Sequence, residues 1–321
     1  MKTWARAACL IAGAGLSFAL VAQQPGGTRP GVVVDINPGR ILLMDITRAG
    51  DRLVTVGERG FTLVSDDAGQ SWRAIATPVT RSLTRVAFEN DKLGVAVGHG
   101  GSIVRTEDGG ETWTAGAVEE AGLDSLLGVT SLGGNRFAAY GAFGLFFTSE
   151  DGGATWERRM VISEEFENHI SQVVAANGVL WLVAEYGTLA RSDDGGLTWT
   201  EVVSPYAGSF FGAVVARDGV LVIFGMRGNI FRSVDGGVTW QKVESGTHTA
   251  FNGGTVLSDG RIVLVANAGL VAERTDNGAT FTLKWSSAGR GFASLVEVPG
   301  GVVVAGESGV RPLDPATLAS Q

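Results

Sequence analysis

An eight-residue stretch with two adjacent carboxylates, two glycines, two hydroxyls and an indole has the composition of a reactive loop. It reads SDDGGLTW, from Ser192 to Trp199. Paired carboxylates suit general acid–base catalysis or the binding of a hard cation such as Ca²⁺. The same spelling recurs as SDDAGQSW (65–72), TEDGGETW (106–113), SEDGGATW (149–156), SVDGGVTW (233–240) and, in decayed form, RTDNGATF (274–281).

The regular spacing of these six boxes indicates architecture rather than one active site. Their aspartates are separated by 41, 43, 43, 41 and 41 residues. A period of this size with strand-like contents is typical of a β-propeller. No box carries a glutamate at the position that closes a calcium loop, since Glu157 and Glu201 lie too close to the aspartates.

A second repeated marker, a G-x-x-G turn, lies about ten residues before each box aspartate. It appears at Gly57, Gly98, Gly141, Gly225 and Gly306, and in degenerate form in EYG ending at Gly187 and NAG ending at Gly269. The turns therefore indicate seven repeat units, whereas the boxes indicate six. Between the markers lie short apolar runs, which in the second unit predict four strands at 83–88, 93–98, 102–106 and 112–118.

The predicted fold is all-β, a seven-bladed β-propeller of four-stranded antiparallel blades. The seventh unit, with runs at 292–298, 302–306 and 309–313, is one strand short. We expect the segment from Gly31 to Ile36 to supply that strand and close the ring by completing the last blade. The predicted organisation is a signal peptide (1–22), a short linker (23–30), the propeller (31–314) and a C-terminal tail (315–321).

Within this fold the box is predicted to stabilise a hairpin. A short aspartate can accept backbone N–H bonds across a turn, and glycine supplies backbone angles closed to other residues. The indole can pack between blades with its N–H bonded at the rim. The structural box residues are Asp67, Trp72, Asp108, Trp113, Asp151, Trp156, Asp194, Trp199, Asp235, Trp240, Asp276 and Phe281.

The N-terminus predicts export. Lys2 and Arg6 precede an apolar run from Ala7 to Ala22, and cleavage is expected after Ala19 or Ala22. The alternative is an uncleaved anchor, for which the run is short; no later segment is expected to span a membrane. The single cysteine, Cys9, lies inside the signal, so disulfides would not stabilise the mature periplasmic or secreted protein.

The charge balance excludes an obvious nucleic-acid function. The net charge of −8 becomes −10 when the two cations of the signal are removed, and the chain has no basic run. With 45% hydrophobic and 18% charged residues, the composition is that of a globular protein rich in turns.

The S-x-D-x-G-x-T-W boxes identify the chain as an Asp-box (bacterial neuraminidase) repeat protein, and the seven-unit form after a signal resembles the photosystem II stability and assembly factor family. That resemblance covers nearly the whole mature chain. It implies a non-catalytic, monomeric scaffold that binds a protein partner, such as a membrane complex of photosynthesis. Asp-box propellers also include sialidases, so a glycoside hydrolase is the alternative function.

Catalytic residues of a sialidase are hard to find in this sequence. There is no R-I-P motif, and TRPG at Thr28 precedes the fold. Only Glu185 and Tyr186, in EYG, place a carboxylate beside a phenol. The three histidines, His99, His169 and His248, lack metal-ligand spacing. We therefore predict no catalytic residues, no metal and no cofactor.

The predicted binding surface is the rim formed by the G-x-x-G turns, which lie on the face opposite the boxes. Its residues are Glu58, Arg59, His99, Phe143, Glu185, Tyr186, Met226, Arg227, Asn267 and Glu307. Two long links make one sector acidic through Glu119, Glu120, Asp124, Glu164, Glu165 and Glu167, whereas the resembled family is associated with a basic surface.

A further set of small or polar residues is predicted to line the channel, one from each inner strand. It consists of Asp45, Arg85, Gly128, Gln172, Ala213, Gly254 and Ser294. Asp45 and Arg85 then lie on adjacent blades, where they could form an ion pair.

Overall fold

The computed structural model describes residues 31–318 except 117, 275–279 and 288. The predicted signal peptide, the linker and the box aspartate Asp276 lie outside the described residues. Among the residues that are described, no helix is long and apolar enough to cross a membrane.

Seven antiparallel sheets follow one another along the chain as the blades of a β-propeller, confirming the predicted fold class. Blades 1 to 3 consist of β1 (Val33–Val34), β2 (Leu43–Ala49), β3 (Arg52–Gly57), β4 (Phe61–Ser65), β5 (Arg73–Ala76); β6 (Leu83–Phe88), β7 (Gly94–Gly98), β8 (Ser102–Thr106), β9 (Thr114–Gly116); β10 (Leu126–Gly133), β11 (Arg136–Gly141), β12 (Phe146–Ser149) and β13 (Glu157–Arg158). Blades 4 and 5 consist of β14 (Ile170–Ala176), β15 (Val179–Ala184), β16 (Leu189–Ser192), β17 (Thr200–Glu201); β18 (Phe210–Val215), β19 (Leu221–Gly225), β20 (Ile230–Ser233) and β21 (Gln241–Val243). Blades 6 and 7 consist of β22 (Phe251–Val256), β23 (Ile262–Ala266), β24 (Leu270–Arg274), β25 (Thr282–Trp285); β26 (Phe292–Val298), β27 (Gly301–Gly306) and β28 (Gly309–Pro312), after which α1 (Pro315–Leu318) follows.

The core consists of apolar layers between neighbouring blades. The second strand of each blade is buried on both faces, which is why it reads as an unbroken apolar run rather than as an alternation. Between blades 1 and 2, for example, Val54, Ile75, Val104 and Trp113 share one buried cluster. Each box tryptophan or its equivalent thus helps to join a blade to the one before it.

The predicted closure of the ring is wrong. Val33–Val34 does not complete blade 7 but pairs with β5 as a fifth strand of blade 1, and β26 to β28 form a three-stranded blade among the described residues. The outer side of β28 offers the amide of Val310, which donates to the Pro38 carbonyl at 3.1 Å. The next outward residue is Pro312, which has no amide N–H, so a full ladder cannot form there.

Side chains close the ring instead. Val34 and Ile36 pack into the apolar layer between blades 7 and 1. On the inner strand of blade 1, the buried carboxyl of Asp45 accepts hydrogen bonds from Ser294 Oγ of blade 7 at 2.7 Å and from the Val86 amide of blade 2 at 3.0 Å. The predicted Asp45–Arg85 pair is present, with Nη1 3.7 Å from Oδ1. One carboxyl therefore joins three consecutive blades.

The C-terminal helix α1 occupies the place that a seventh box would take. Arg52, at the start of β3, donates through Nη1 to the Gly109 carbonyl in the box of the following blade at 3.1 Å. Arg261 occupies the position in blade 6 that Arg52 occupies in blade 1, five residues before the start of the turn. Its Nη1 donates to the Leu318 carbonyl of α1, also at 3.1 Å. Leu318 is buried in the layer between blades 6 and 7.

Candidate functional site: the two ends of the propeller

The box hairpins use their polar atoms to hold their own backbone. In the fourth blade, Asp194 Oδ1 accepts hydrogen bonds from Ser192 Oγ at 2.7 Å, the Leu197 amide at 3.0 Å and the Thr198 amide at 2.9 Å. Its Oδ2 accepts one from Thr198 Oγ1 at 2.6 Å. Ser192 Oγ in turn accepts the Gly196 amide at 2.8 Å. These carboxylate oxygens are occupied within the hairpin and are not directed at a ligand.

The same arrangement lowers the pKa of the box carboxyls in each of these hairpins. The hydroxyl and the amide of Thr198 lower the pKa of Asp194 to about 2. Ser71 and Thr239 do the same for Asp67 and Asp235, each to about 2. Carboxylates with such low pKa values stay ionised at neutral pH and are poor proton donors.

The pKa values of the two remaining described box aspartates are also lowered. For Asp108 and Asp151, burial raises the pKa, and hydrogen bonds from Thr112 and Thr155 outweigh it.

The box indoles pack between blades as predicted from their position, but their N–H groups differ. Those of Trp72, Trp113 and Trp156 donate to the carbonyl of the second box glycine at 3.1 to 3.2 Å. Those of Trp199 and Trp240 are buried without a partner among the described residues. In the decayed box, Phe281 replaces the indole and lies buried between blades 5 and 6.

At the opposite end of the blades, the G-x-x-G turns adopt a strained backbone. Six of them carry a 3₁₀ turn or its glycine-rich equivalent, and the seventh, at Glu307 and Ser308, is a tighter two-residue turn. In five blades the residue at the tip has a left-handed φ between 51° and 64°, a region that normally favours glycine. These tip residues are Arg59, Phe143, Tyr186, Arg227 and Ala268.

In four of these five blades, the glycine that follows the tip is required by a close approach of the backbone, whereas a Cβ on Gly269 would lie 3.3 Å from its nearest neighbour. A Cβ on Gly60 would lie 2.0 Å from the Val79 carbonyl oxygen, and one on Gly187 would lie 2.0 Å from that of Tyr206. Both carbonyls belong to the link that leads to the next blade. The turns are thus locked against the links, and the tip side chain in front of the glycine is directed away from the fold.

The ten predicted rim residues all lie on this face, in two classes. Glu58, His99 and Glu185 are half-buried. The exposed residues are Arg59, Phe143, Tyr186, Met226, Arg227, Asn267 and Glu307. Several polar members brace the rim, since Glu185 and Glu307 accept the amides of His169 and Gly291, each at 3.2 Å.

Blades 3 and 4 bring three of these rim residues, Phe143, Glu185 and Tyr186, to one place together with His169 from the intervening link. The His169 ring packs edge-on against Phe143, with centroids 4.9 Å apart, and its Nδ1 accepts the Phe143 amide at 3.3 Å. The same Nδ1 lies 3.5 Å from Glu185 Oε2. Phe143 and the neighbouring tip Tyr186 remain 52% and 75% exposed. Sequence reasoning placed Phe143 and Tyr186 on the rim but missed His169, which a link delivers from outside the turn motif.

The acidic links flank this cluster. Glu164, Glu165 and Glu167 are exposed, as are Glu120 and Asp124 in the preceding link. Within the described residues none of these five carboxylates takes part in an ion pair. The field at this sector of the rim is therefore negative.

The channel residues follow the predicted register in five blades and deviate by one position in two. Each inner strand begins with a bulge, after which Asp45, Arg85, Gly128, Gln172 and Ser294 occupy equivalent positions. In blades 5 and 6 the equivalents are Gly212 and Gly253, not the predicted Ala213 and Gly254. The shift has a simple cause, because the distance from turn to inner strand varies with loop length while the bulge position is constant.

Among the residues that the structure describes, Glu185 and Tyr186 do not form the acid–base arrangement that a glycosidase uses. The Glu185 carboxylate is engaged by the His169 amide rather than directed at Tyr186. Burial raises the pKa of the Asp45 carboxyl, against the opposing effects of Arg85 and of the bonds from Val86 and Ser294, but this group is enclosed between inner strands. Among the described residues no group of three or more His, Cys, Asp or Glu side chains could hold a metal ion.

A groove that the sequence did not indicate lies on blade 4, beside the Tyr186 tip. It has a volume of about 560 Å³ and is lined by Tyr186, Glu201, Val203 and Tyr206 among others. Its signal in the sequence is weak, because it results from the path of the link 203–207 rather than from a motif.

Comparison with known structures finds the same architecture. A structure described as YCF48 bound to D1 peptide has a TM-score of 0.71 at 17% identity and covers 86% of this chain and 96% of its own. YCF48 from Cyanidioschyzon merolae gives 0.69 at 17%, covering 89% and 98%. The GH74 enzyme of Niastella koreensis gives 0.69 at 18%, covering 85% of this chain but only 52% of its own.

At the level of sequence, a comparison with curated proteins finds no match. The family model of the photosynthesis system II assembly factor YCF48, in contrast, matches residues 64–295, well over half of the chain and most of its boxes and turns. Together with the seven-bladed fold, this match shows that the chain belongs to the photosynthesis system II assembly factor YCF48 family.

Proposed function

We propose that this protein is an exported, non-catalytic scaffold that binds a partner protein through the rim of G-x-x-G turns. One observation carries the proposal. Five turns place a residue other than glycine in the left-handed region, and two of these residues are the exposed aromatics Phe143 and Tyr186.

The fold itself does not need a side chain at the tip. In blade 2 the equivalent residue is Gly100, with φ of 65°, and the turn forms all the same. A side chain in this conformation costs on the order of 1 kcal/mol compared with glycine. Strain that stability does not require is expected where a surface is used for recognition.

The aromatic tips suit a protein partner in particular. Large, rigid side chains with an exposed apolar face are typical anchors of protein interfaces. Because the family is named for an assembly factor of photosystem II, and a related structure holds a D1 peptide, we propose a segment of a membrane complex as the partner. The predicted export to the periplasm would bring the scaffold to such a segment at the membrane surface.

Capture of the partner tests the proposal. The tagged protein, produced with its own N-terminus, is cross-linked in its exporting host and the bound proteins are identified. We expect Phe143→Ala with Tyr186→Ala to reduce capture strongly while the melting temperature changes little. The matched control is Leu197→Ala with Val238→Ala, two exposed apolar residues on the box hairpins of the opposite face. Equal capture by both double variants, or loss only in the control, would show that the rim is the wrong face.

The acidic link should act on the rate of association. Replacing Glu164, Glu165 and Glu167 with glutamine removes three exposed negative charges beside Phe143. For a cationic partner, we expect slower association with little change in dissociation, and added salt should shrink the difference. An effect confined to dissociation would contradict steering.

Glycoside hydrolysis remains the second function to be tested, because GH74 enzymes share the fold. We expect the purified protein to leave a panel of fluorogenic glycosides, including a sialoside, intact. Turnover that disappears in Tyr186→Phe would reverse the assignment.

A further inference from the structure

Blade 1 shows how this propeller receives an extra strand. The segment β1 pairs with the outer side of β5, where the Gly31 amide donates to the Ala76 carbonyl and the Ala76 amide donates to the Val32 carbonyl, both at 3.1 Å. Val34 lies opposite Ala74. The outward-facing backbone groups of this blade are therefore those of Ala74 and Ala76, two and four residues after the box tryptophan Trp72.

Blade 4 offers the same two backbone positions. Two and four residues after Trp199 come Glu201 and Val203. The intervening amide of Val202 donates inward to the Leu189 carbonyl at 2.8 Å, so the groups of Glu201 and Val203 face outward by the alternation of a strand. Within the described residues no strand covers the outer side of β17.

The side chains at these positions differ between the two blades in their exposure to solvent. Ala76 is fully buried, whereas Val203 is 85% exposed. Val203 and Glu201 line the groove of about 560 Å³ that also includes Tyr186 and Tyr206. An open strand edge, an exposed apolar side chain and an aromatic tip thus meet at one place, adjacent to the proposed rim.

We propose that the outer edge of blade 4 receives an extended segment of the partner protein as an added strand, with a basic residue opposite Glu201 and an apolar residue opposite Val203. This inference rests on the proposed function and locates its contact. Backbone hydrogen bonds to Glu201 and Val203 supply the pairing, as Ala74 and Ala76 do for β1. Residues opposite one another in an antiparallel pair share a face, so the segment carries its apolar and basic residues two positions apart, in that order.

The negative charge of Glu201 favours a basic segment as the added strand and disfavours a second copy of this chain. Glu201 is exposed and takes part in no ion pair within the described residues. In an antiparallel pairing of two β17 strands about this position, Glu201 would lie opposite Glu201, and like charges directly opposite one another are destabilising. A lysine or arginine at the same place gains the attraction instead.

Two blocked peptides test the site on the whole protein, TTVTKTT and its counterpart TTVTETT. Binding is followed by the shifts of backbone amide resonances in a titration. We expect the lysine peptide to bind about fivefold more tightly and to shift the amides of Glu201 and Val203. Glu201→Lys should reverse the preference, whereas the matched change on blade 5, Lys242→Glu, should leave it as it is. No binding, equal binding of both peptides, or shifts confined to another blade would overturn the proposal.

A backbone variant separates strand addition from side-chain contact. Val203→Pro removes an outward amide that has no hydrogen-bond acceptor among the described residues, and should weaken binding of the lysine peptide about tenfold. Glu244→Pro, at the same position of blade 5, is the control. The melting temperature of both variants is measured alongside.

The two proposals fail in different ways. If partner capture depends on Phe143 and Tyr186 but survives Val203→Pro, the rim is correct and strand addition is wrong. If the lysine peptide binds at blade 4 but partner capture does not depend on Phe143 and Tyr186, the rim is not the face through which the partner binds.

Discussion

The chain reverses direction tightly at both ends of each blade, but different parts of the residues stabilise the two reversals. At the box end, polar side chains bond to their own hairpin, as Asp194 does with Ser192 and Thr198. At the turn end, glycine and strained backbone make the reversal, as at Gly187, and the side chain of Tyr186 makes no contribution to it.

This difference explains why one motif repeats faithfully and the other does not. A hairpin held by side chains tolerates few replacements, so the box keeps its spelling through five copies. A turn held by backbone leaves its tip free to vary, from Arg59 to Phe143 to Ala268. Variation without loss of fold is what a recognition surface needs.

The largest loss of stability is expected when a methyl group is added at a turn glycine that lies against the next link. Gly187→Ala adds a Cβ that would lie 2.0 Å from the Tyr206 carbonyl oxygen, at a φ of +75°. We expect a loss of about 3 kcal/mol or more in the free energy of unfolding. Gly178→Ala on the same blade is the control, because its φ of +79° is similar but nothing lies within 4 Å of the added atom. Its cost should be about 1 kcal/mol, and equal losses would refute the locking contact.

Replacing a box aspartate should lower the free energy of unfolding less than Gly187→Ala does, but more than replacing the aspartate that precedes it. Asp194→Ala leaves two hairpin amides and two hydroxyls without their acceptor. We expect a loss of about 1 to 3 kcal/mol, with peptide binding at blade 4 retained. Asp193→Ala removes an exposed partner of Arg191 and should cost about 0.5 kcal/mol or less. Denaturant unfolding measures both, and lost binding at unchanged stability would give the box a functional role.

Acid should affect the box end selectively. The folded pKa values of Asp67, Asp194 and Asp235 are about 2, below the unfolded value of about 3.9. The stability that these carboxylates contribute is therefore complete above about pH 4 and is lost as the pH falls towards 2. Unfolding at pH 6, 4, 3 and 2 should show this decrease, with a shallower slope for Asp194→Asn. A decrease complete by pH 5 would mean that other groups govern it.

The smallest effect on stability is expected at a turn tip. Tyr186→Gly relieves the left-handed strain at φ of 53° but gives the unfolded chain more freedom. The two terms nearly cancel, so the melting temperature should hardly move, by an amount equivalent to about 0.5 kcal/mol or less. Partner capture should nevertheless fall. A large destabilisation would show that the tip belongs to the fold after all.

The repeat made most of the fold predictable from sequence. A strict period ties the box and the turn to fixed ends of a four-stranded blade, so Asp67 and Asp235 could be placed without coordinates. The rim residues followed from the same reasoning, because strand alternation puts the turns opposite the boxes. The Asp45–Arg85 pair could be predicted since both residues interrupt apolar inner strands.

Features that depend on where the chain stops repeating were not predictable in this way. Pro312 blocks the outer side of β28, and the sequence pattern alone does not show that this residue faces outward. Ala213 and Gly254 were predicted in place of Gly212 and Gly253 because the number of residues between the inner strand and the turn varies with the length of the hairpin loop. His169 reaches the rim cluster through a link whose path depends on tertiary packing.

The side-chain closure at Asp45 also determines how the ring comes apart. No described blade is assembled from both ends of the chain, so parting blades 7 and 1 breaks no strand ladder. It breaks an apolar layer, the Ser294–Asp45 bond, the bond from Val310 to Pro38 and the bond from Arg48 to the Glu297 carbonyl. We therefore expect the ring to open first at this seam, which would be measured as faster solvent hydrogen exchange of the inner-strand amides on either side of it.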